Sequence, residues 1–179
     1  MNTWIALFRG INVGGNNLLP MKELTAVLEG VGCTHVKTYI QSGNVVFRKA
    51  GSKAPQLARL IEKAILGSHA FAPKVVLLTV AELQAAVGSN PFPEAEADPK
   101  SLHLFFLATP AGSPDIDSLN AIRAGNERFS LAGDTFYLHA PDGVGRSRLA
   151  ARAEKLLGVS GTARNWRTVS KVLDLARSL

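Results

Sequence analysis

The sequence predicts an α+β protein built from two ferredoxin-like α/β plaits in tandem, closed by a C-terminal helix. Two observations carry this reading. Short β-rich runs alternate with helical repeats in the order β-α-β-β-α-β over residues 1–80, and the same order recurs after residue 100. Between them lies SNPFPEAEADP, where three prolines and the acids Glu94, Glu96 and Asp98 mark a connector. The expected organisation is a first plait over 1–80, a short helix and connector over 81–100, and a second plait-like domain with its helix over 101–179.

Each element has a local reason. Residues 4–9 (WIALFR) form a short apolar, aromatic run closed by Gly10, which reads as a strand. GINVGGNNLLP follows and reads as a loop. Pro20 suits a first helical turn, and Met21, Leu24, Leu28 and Val31 recur at helical spacing until Gly30 and Gly32 end the helix. Residues 36–41 and 44–48 read as a hairpin around a tight Ser42-Gly43 turn. Leu57, Leu60, Ile61, Ala64 and Ile65 mark a second helix face, and residues 74–79 a closing strand. A short helix is expected around 83–87. In the second half, 102–108 is a strand and Ile116, Leu119 and Ile122 mark a helix. Residues 128–131 and 135–139 form a hairpin, a helix runs from about 148 to 157, and 162–165 is a short edge strand. Val169, Val172, Leu173, Ala176 and Leu179 share one face of the final helix.

Composition narrows the function classes. Hydrophobic residues make up 46% and charged residues 19%, ordinary values for a globular chain and too apolar for general disorder. Apolar runs such as 75–78 and 104–107 fall far short of the roughly 18 residues of a membrane span and read as strands. The N-terminus carries neither the basic nor the apolar region of a signal peptide. One cysteine, Cys33, excludes an internal disulfide and a cysteine metal cluster. The histidines His35, His69, His103 and His139 show no metal spacing. These features describe a cytoplasmic protein with no membrane segment, no cofactor and no metal.

Charge is uneven. The net value is +6. Residues 1–81 hold nine basic and three acidic side chains, 82–142 three basic and nine acidic, and 143–179 eight basic and two acidic. The middle segment offsets the first, so the surplus lies at the C-terminal end. Such a cluster favours anionic partners, and it also serves as a solvated face that keeps a protein soluble.

Three motifs fit an anion. Arg9, Asn12 and Gly14 lie in RGINVGGNN, where glycines let amides turn toward an anion and Arg9 adds a bidentate donor. The same residues also make a tight turn whose asparagines bond their own backbone. Gly143, Gly145, Arg146, Ser147 and Arg148 lie in DGVGRSR ahead of a helix whose Arg148, Arg152 and Lys155 form one stripe. Ser147 is its expected N-cap. Arg164, Asn165 and Trp166 precede the last helix; Asn165 or Thr168 is its cap. Trp166 either stacks on a base or is buried as an anchor. Tyr39 and Phe47 read as core packing, Phe92 as a plug between the domains, and Cys33 as an inert small residue.

At these motifs the chain resembles a bacterial family known as domain of unknown function 1697. The resemblance rests on RGINVGGNN with PMKEL, TYIQSGNVVF, NPFP, YLHAPDGVGRSRL and TARNWRTVSKVL, which together span nearly the whole sequence. Two departures are visible: Ala163 stands where the family pattern has a second threonine, and Arg167 where it has asparagine. The resemblance implies two small α/β plait domains in one chain. It implies no activity and no catalytic residues.

The leading expectation is therefore a binder of an anionic, phosphate-bearing small molecule or of nucleic acid, with its site where loops of the two plaits meet. One rival is an enzyme acting on a phosphorylated or nucleotide substrate, with Asp142 or His139 as acid or base. Another is an interaction module that forms a homodimer through sheet edges or faces.

Overall fold

The computed structural model describes residues 1–179. It contains two four-stranded antiparallel sheets and six α-helices. The chain divides into two compact units, Met1–Ala85 with Lys171–Leu179, and Ala86–Ser170. The connector thus falls with the second unit from Ala86 onward, and the end of the last helix falls with the first. No helix is long and apolar enough to cross a membrane.

The first unit runs β1 (Asn2–Arg9), α1 (Met21–Gly30), β2 (Thr34–Tyr39), β3 (Asn44–Lys49), α2 (Ala54–Ser68) and β4 (Lys74–Thr79). Its sheet order is β2-β3-β1-β4. Alternation along β1 sends Trp4, Ala6 and Phe8 to one face, where they pack with Phe47, Leu24 and Leu28 of α1, and Leu57, Ile61 and Ile65 of α2. Ile5 and Leu7, on the opposite face, are buried as well. Each such side chain contributes roughly 1.5–3 kcal/mol on burial, so β1 is the anchor of this unit.

The β2–β3 connection differs from the expected two-residue turn. β2 ends at Tyr39, which pairs directly with Asn44, so Ile40 to Gly43 form a four-residue loop. Ile40 takes φ +50°, a left-handed conformation that a β-branched residue adopts only under outside constraint. The constraint is the Gln41 carbonyl, which accepts a 2.8 Å hydrogen bond from Asn12 Nδ2.

The second unit contains a 3-10 turn at Pro93–Ala97, β5 (Leu102–Leu107), α4 (Ile116–Ile122), β6 (Arg128–Ala132), β7 (Thr135–His139), α5 (Arg148–Leu157) and β8 (Gly161–Asn165). Its sheet order is β6-β7-β5-β8, so the short final strand is an edge paired to β5. Phe105 and Phe136 meet edge to face at 5.5 Å and pack with Leu119 of α4 and Leu149, Ala153 and Leu157 of α5. Tyr137 donates its hydroxyl to the Ala86 carbonyl at 2.7 Å. Two helices straddle the division of units: α3 (Val80–Gly88) and α6 (Trp166–Arg177).

Candidate functional site

The first glycine-rich loop folds back on itself. Asn12 N donates to Asn17 O at 3.1 Å and Asn16 N to Val13 O at 3.0 Å. Gly14 and Gly15 take φ +58° and +77°, the two left-handed central residues that a primed hairpin turn requires. The Asn12 amide is fully engaged: Nδ2 donates to Leu19 O (2.9 Å) and Gln41 O (2.8 Å), and Oδ1 accepts from Leu19 N (2.8 Å). Asn17 Nδ2 donates to Gly10 O. An anion needs donors, and both protons of Asn12 already serve backbone carbonyls. Arg9 is the exposed last residue of β1, at the foot of this small hairpin.

The basic segment of the second unit is built differently. Antiparallel register pairs Leu102 with His139 and His103 with Asn165. The loop leaving β7 and the junction between β8 and α6 therefore start from one end of the sheet. Gly143 takes φ +95°, and Val144–Arg146 make one 3-10 turn. Ser147 then caps α5, its hydroxyl accepting from Ala150 N at 2.9 Å; this is the expected N-cap. Leu149, Ala153 and Leu157 turn inward. Arg148, Arg152 and Lys155 lie on the exposed side, a stripe about 10 Å long at 1.5 Å per residue. Arg146, Arg148, Arg152, Lys155 and Arg167 are all exposed, and none of their side chains makes a hydrogen bond or ion pair.

Around the β8–α6 junction, Asn165 Oδ1 accepts from Thr168 N at 2.9 Å and caps α6. Trp166 is 8% exposed, so its ring serves as an anchor. Arg164 donates to Thr162 Oγ1 at 2.7 Å and to Ala163 O at 2.8 Å. Burial lowers its pKa to about 10, which leaves the guanidinium charged at neutral pH. The structure thus brings Gly143, Gly145, Arg146, Ser147, Arg148, Asn165 and Trp166 to one end of one sheet, and Arg9, Asn12 and Gly14 to one loop of the first unit.

His139 and Asp142 share no hydrogen bond. Asp142 Oδ2 accepts from Asn126 Nδ2 at 2.9 Å. Arg128 Nη2 lies 3.0 Å from His139 Nδ1, reaches Glu94 as well, and its guanidinium sits 4.7 Å above the Phe92 ring. A guanidinium only donates, so Nδ1 of His139 is the acceptor and its proton is on Nε2. Burial, then the Arg128 charge, holds the imidazole below its usual pKa. His103 is buried with Nδ1 unpartnered, and its desolvation also favours the neutral form. Burial pushes the Cys33 thiol up to about 11, which makes it a poor nucleophile. No group of His, Cys, Asp and Glu is arranged to hold a metal ion.

One polar constellation escaped the sequence reading: Ser68 and His69 at the end of α2, with Glu23 of α1. Only the adjacency of Ser68 and His69 at a helix end was visible as a signal. The carboxylate arrives from 46 residues away.

Fold and side chains define a two-unit α+β protein whose second unit presents a free basic stripe on a capped helix. The chain belongs to the family described as protein of unknown function (DUF1697), whose profile matches residues 1–137. Among solved structures it is similar to the conserved bacterial protein SP0830 from Streptococcus pneumoniae. The two share 23% identity and a TM-score of 0.74 over 98% of each chain, a likeness of fold. No curated protein matches.

Proposed function

We propose that this protein binds phosphate-bearing anions through the basic segment of its second unit, with Arg146, Arg148, Arg152, Lys155 and Arg167 as phosphate contacts. The observation that carries the reading is that these five side chains are exposed without partners. Cations left unpaired on a helix raise the local potential, and the one carboxylate of the segment has partners other than these five cations. Glu154, the acid within 143–167, has its Oε1 3.4 Å from Gly161 N. A row of charges suits a phosphodiester chain better than one phosphate, so single-stranded nucleic acid is the favoured form of the anion. Each unit is read here as a ferredoxin-like plait, since the strand orders β2-β3-β1-β4 and β6-β7-β5-β8 are those of a βαββαβ plait. The expected compartment is the cytoplasm.

The test is fluorescence anisotropy with a labelled single-stranded oligonucleotide across a salt series. Three or four phosphate contacts give a slope of log K against log salt of about −2 to −3. Arg146→Glu with Arg148→Glu lowers affinity by at least about tenfold, since each lost charge-assisted contact is worth on the order of 1.5–3 kcal/mol. Binding that ignores salt, or that the double variant leaves unchanged, overturns the assignment.

A further inference from the structure

We propose that Ser68, His69 and Glu23 form a nucleophile–base–acid relay that hydrolyses small activated carboxylic esters. The site lies in the first unit and is independent of the anion-binding reading. Its placement follows from the fold. α1 and α2 pack on the same face of the sheet through Leu24, Leu28, Leu57, Ile61 and Ile65, which brings the end of α2 beside the first turn of α1. Ser68 closes α2, and His69 is its C-cap, turned into extended backbone at φ −132° and ψ 153°. The imidazole thereby leaves the helix and faces Glu23.

The distances are those of a working relay. Ser68 Oγ lies 2.9 Å from His69 Nδ1, and His69 Nε2 lies 2.8 Å from Glu23 Oε2. The proton positions follow for the neutral ring. A carboxylate only accepts, so Nε2 carries a hydrogen and, in the neutral ring, Nδ1 holds the lone pair. Ser68 must then be the donor to Nδ1, the arrangement in which a histidine draws a proton from a hydroxyl. The competing contacts of Ser68 Oγ, to Ala64 O and Ile65 O, are both 3.3 Å and weaker. The other three histidines have no hydroxyl on one nitrogen and carboxylate on the other. The His69 side chain is only 15% exposed, and that of Glu23 is 57% exposed. Phe71 stands edge-on to the imidazole at 6.0 Å and gives the ring an apolar neighbour. Ser68 itself is exposed, so a substrate reaches it from solvent.

The chemistry balances. Ser68 Oγ attacks the ester carbonyl carbon while its proton passes to His69 Nδ1. The ester C–O bond breaks, and that proton leaves with the departing alcohol. Water then attacks the acyl-Ser68, gives a proton to His69, and the carboxylic acid departs as Ser68 regains its hydrogen. Positive charge on the imidazole during both steps faces the Glu23 carboxylate and the last carbonyls of α2, whose partial charge is negative. The amides of Ala70 and Phe71, just past the imidazole, make no hydrogen bond and remain as donors for the carbonyl oxygen. Ser68 and His69 are the catalytic residues; Glu23 is a positioning residue that selects the tautomer.

The experiment treats the full chain with a fluorophosphonate probe and maps the adduct by mass spectrometry, alongside hydrolysis of p-nitrophenyl acetate. The expected results are one adduct on Ser68, none in Ser68→Ala, and a rate in His69→Gln lower by about 10²–10⁴-fold. Glu23→Gln lowers kcat at least about tenfold with KM within about twofold, a split that loss of an interhelical tie does not produce. The rising limb of the pH–rate profile disappears in His69→Gln. An unlabelled Ser68, or a Ser68→Ala variant that hydrolyses the ester at the parent rate, overturns the proposal. So does a series in which the variants change the melting temperature alone.

Discussion

The two glycine-containing loops, 10–19 in the first unit and 142–148 in the second, use similar residues to opposite ends. In the first, the polar side chains turn inward: the Asn12 amide holds three backbone groups and Asn17 holds a fourth. In the second, one polar side chain, Ser147, satisfies the backbone, and the arginines on either side of it stay exposed. A loop whose donors are already paired is a brace. A loop whose cations are left over has capacity for a ligand. Composition alone cannot separate the two, because glycine and asparagine favour both tight turns and anion cradles. What separates them is where each donor's proton goes.

The comparison breaks most readily at Gly43. This residue sits in the β2–β3 loop at φ +72°, and a Cβ there would lie 2.7 Å from both Ile11 Cδ1 and Phe8 Cβ. Gly43→Ala thus combines a left-handed alanine with overpacking against β1 and the brace. The expected loss is about 2–4 kcal/mol of unfolding free energy, read from urea denaturation. A loss under about 1 kcal/mol would mean that the β2–β3 loop does not press against Ile11 and Phe8 in solution.

Asn12→Ala comes next and tests the brace itself. It removes three side-chain hydrogen bonds and leaves Leu19 N, a donor on a fully buried residue, without its acceptor. The net cost of each bond is about 0.5–1.5 kcal/mol, so an overall loss of about 2–3 kcal/mol is expected. Hydrogen exchange sharpens the reading: the Leu19 amide should lose protection in the variant while the amides of β7 keep theirs. Equal loss at both would make Asn12 a residue of global stability with no particular hold on its loop.

Much of the fold was legible because its signals are local. Apolar spacing in residues 57–65 and 148–157 marks helices, and the runs at 74–79 and 102–107 mark strands, since in each the pattern and the buried face coincide. The β2–β3 turn was not legible. Ile40 is a strand former by its own preference, and it leaves the strand because Asn12, far away in sequence, takes the Gln41 carbonyl. The connector gave its breakers but not its 3-10 turn, nor its Arg128 contact through Glu94. At the candidate site, the Ser147 cap was readable from a serine set before an amphipathic run. The burial of Trp166 was one of two open readings, because a tryptophan between arginines has the same local pattern whether it stacks or packs. The Ser68–His69–Glu23 relay depends on two helices lying side by side, and no spacing rule within either helix reports that.

The smallest expected effect is at Ser147, and it sharpens the comparison from the side of the second loop. Ser147→Ala removes the acceptor of Ala150 N and should cost about 1 kcal/mol, the usual value of an N-cap. Arg146→Ala, one residue earlier, should change stability by no more than about 0.5 kcal/mol because its side chain touches nothing that folding needs. Thermal unfolding of the two variants beside the parent separates structural from unengaged residues in adjacent positions. If the order reverses, with Arg146→Ala the more damaging, then the arginine has a partner in solution and the basic stripe is less free than the structure indicates. If the order holds while oligonucleotide affinity falls only in Arg146→Ala, backbone and ligand are served by neighbouring side chains that do not substitute for one another. That division of labour is absent from the first loop, where the side chain that carries the donors is the one that holds the fold.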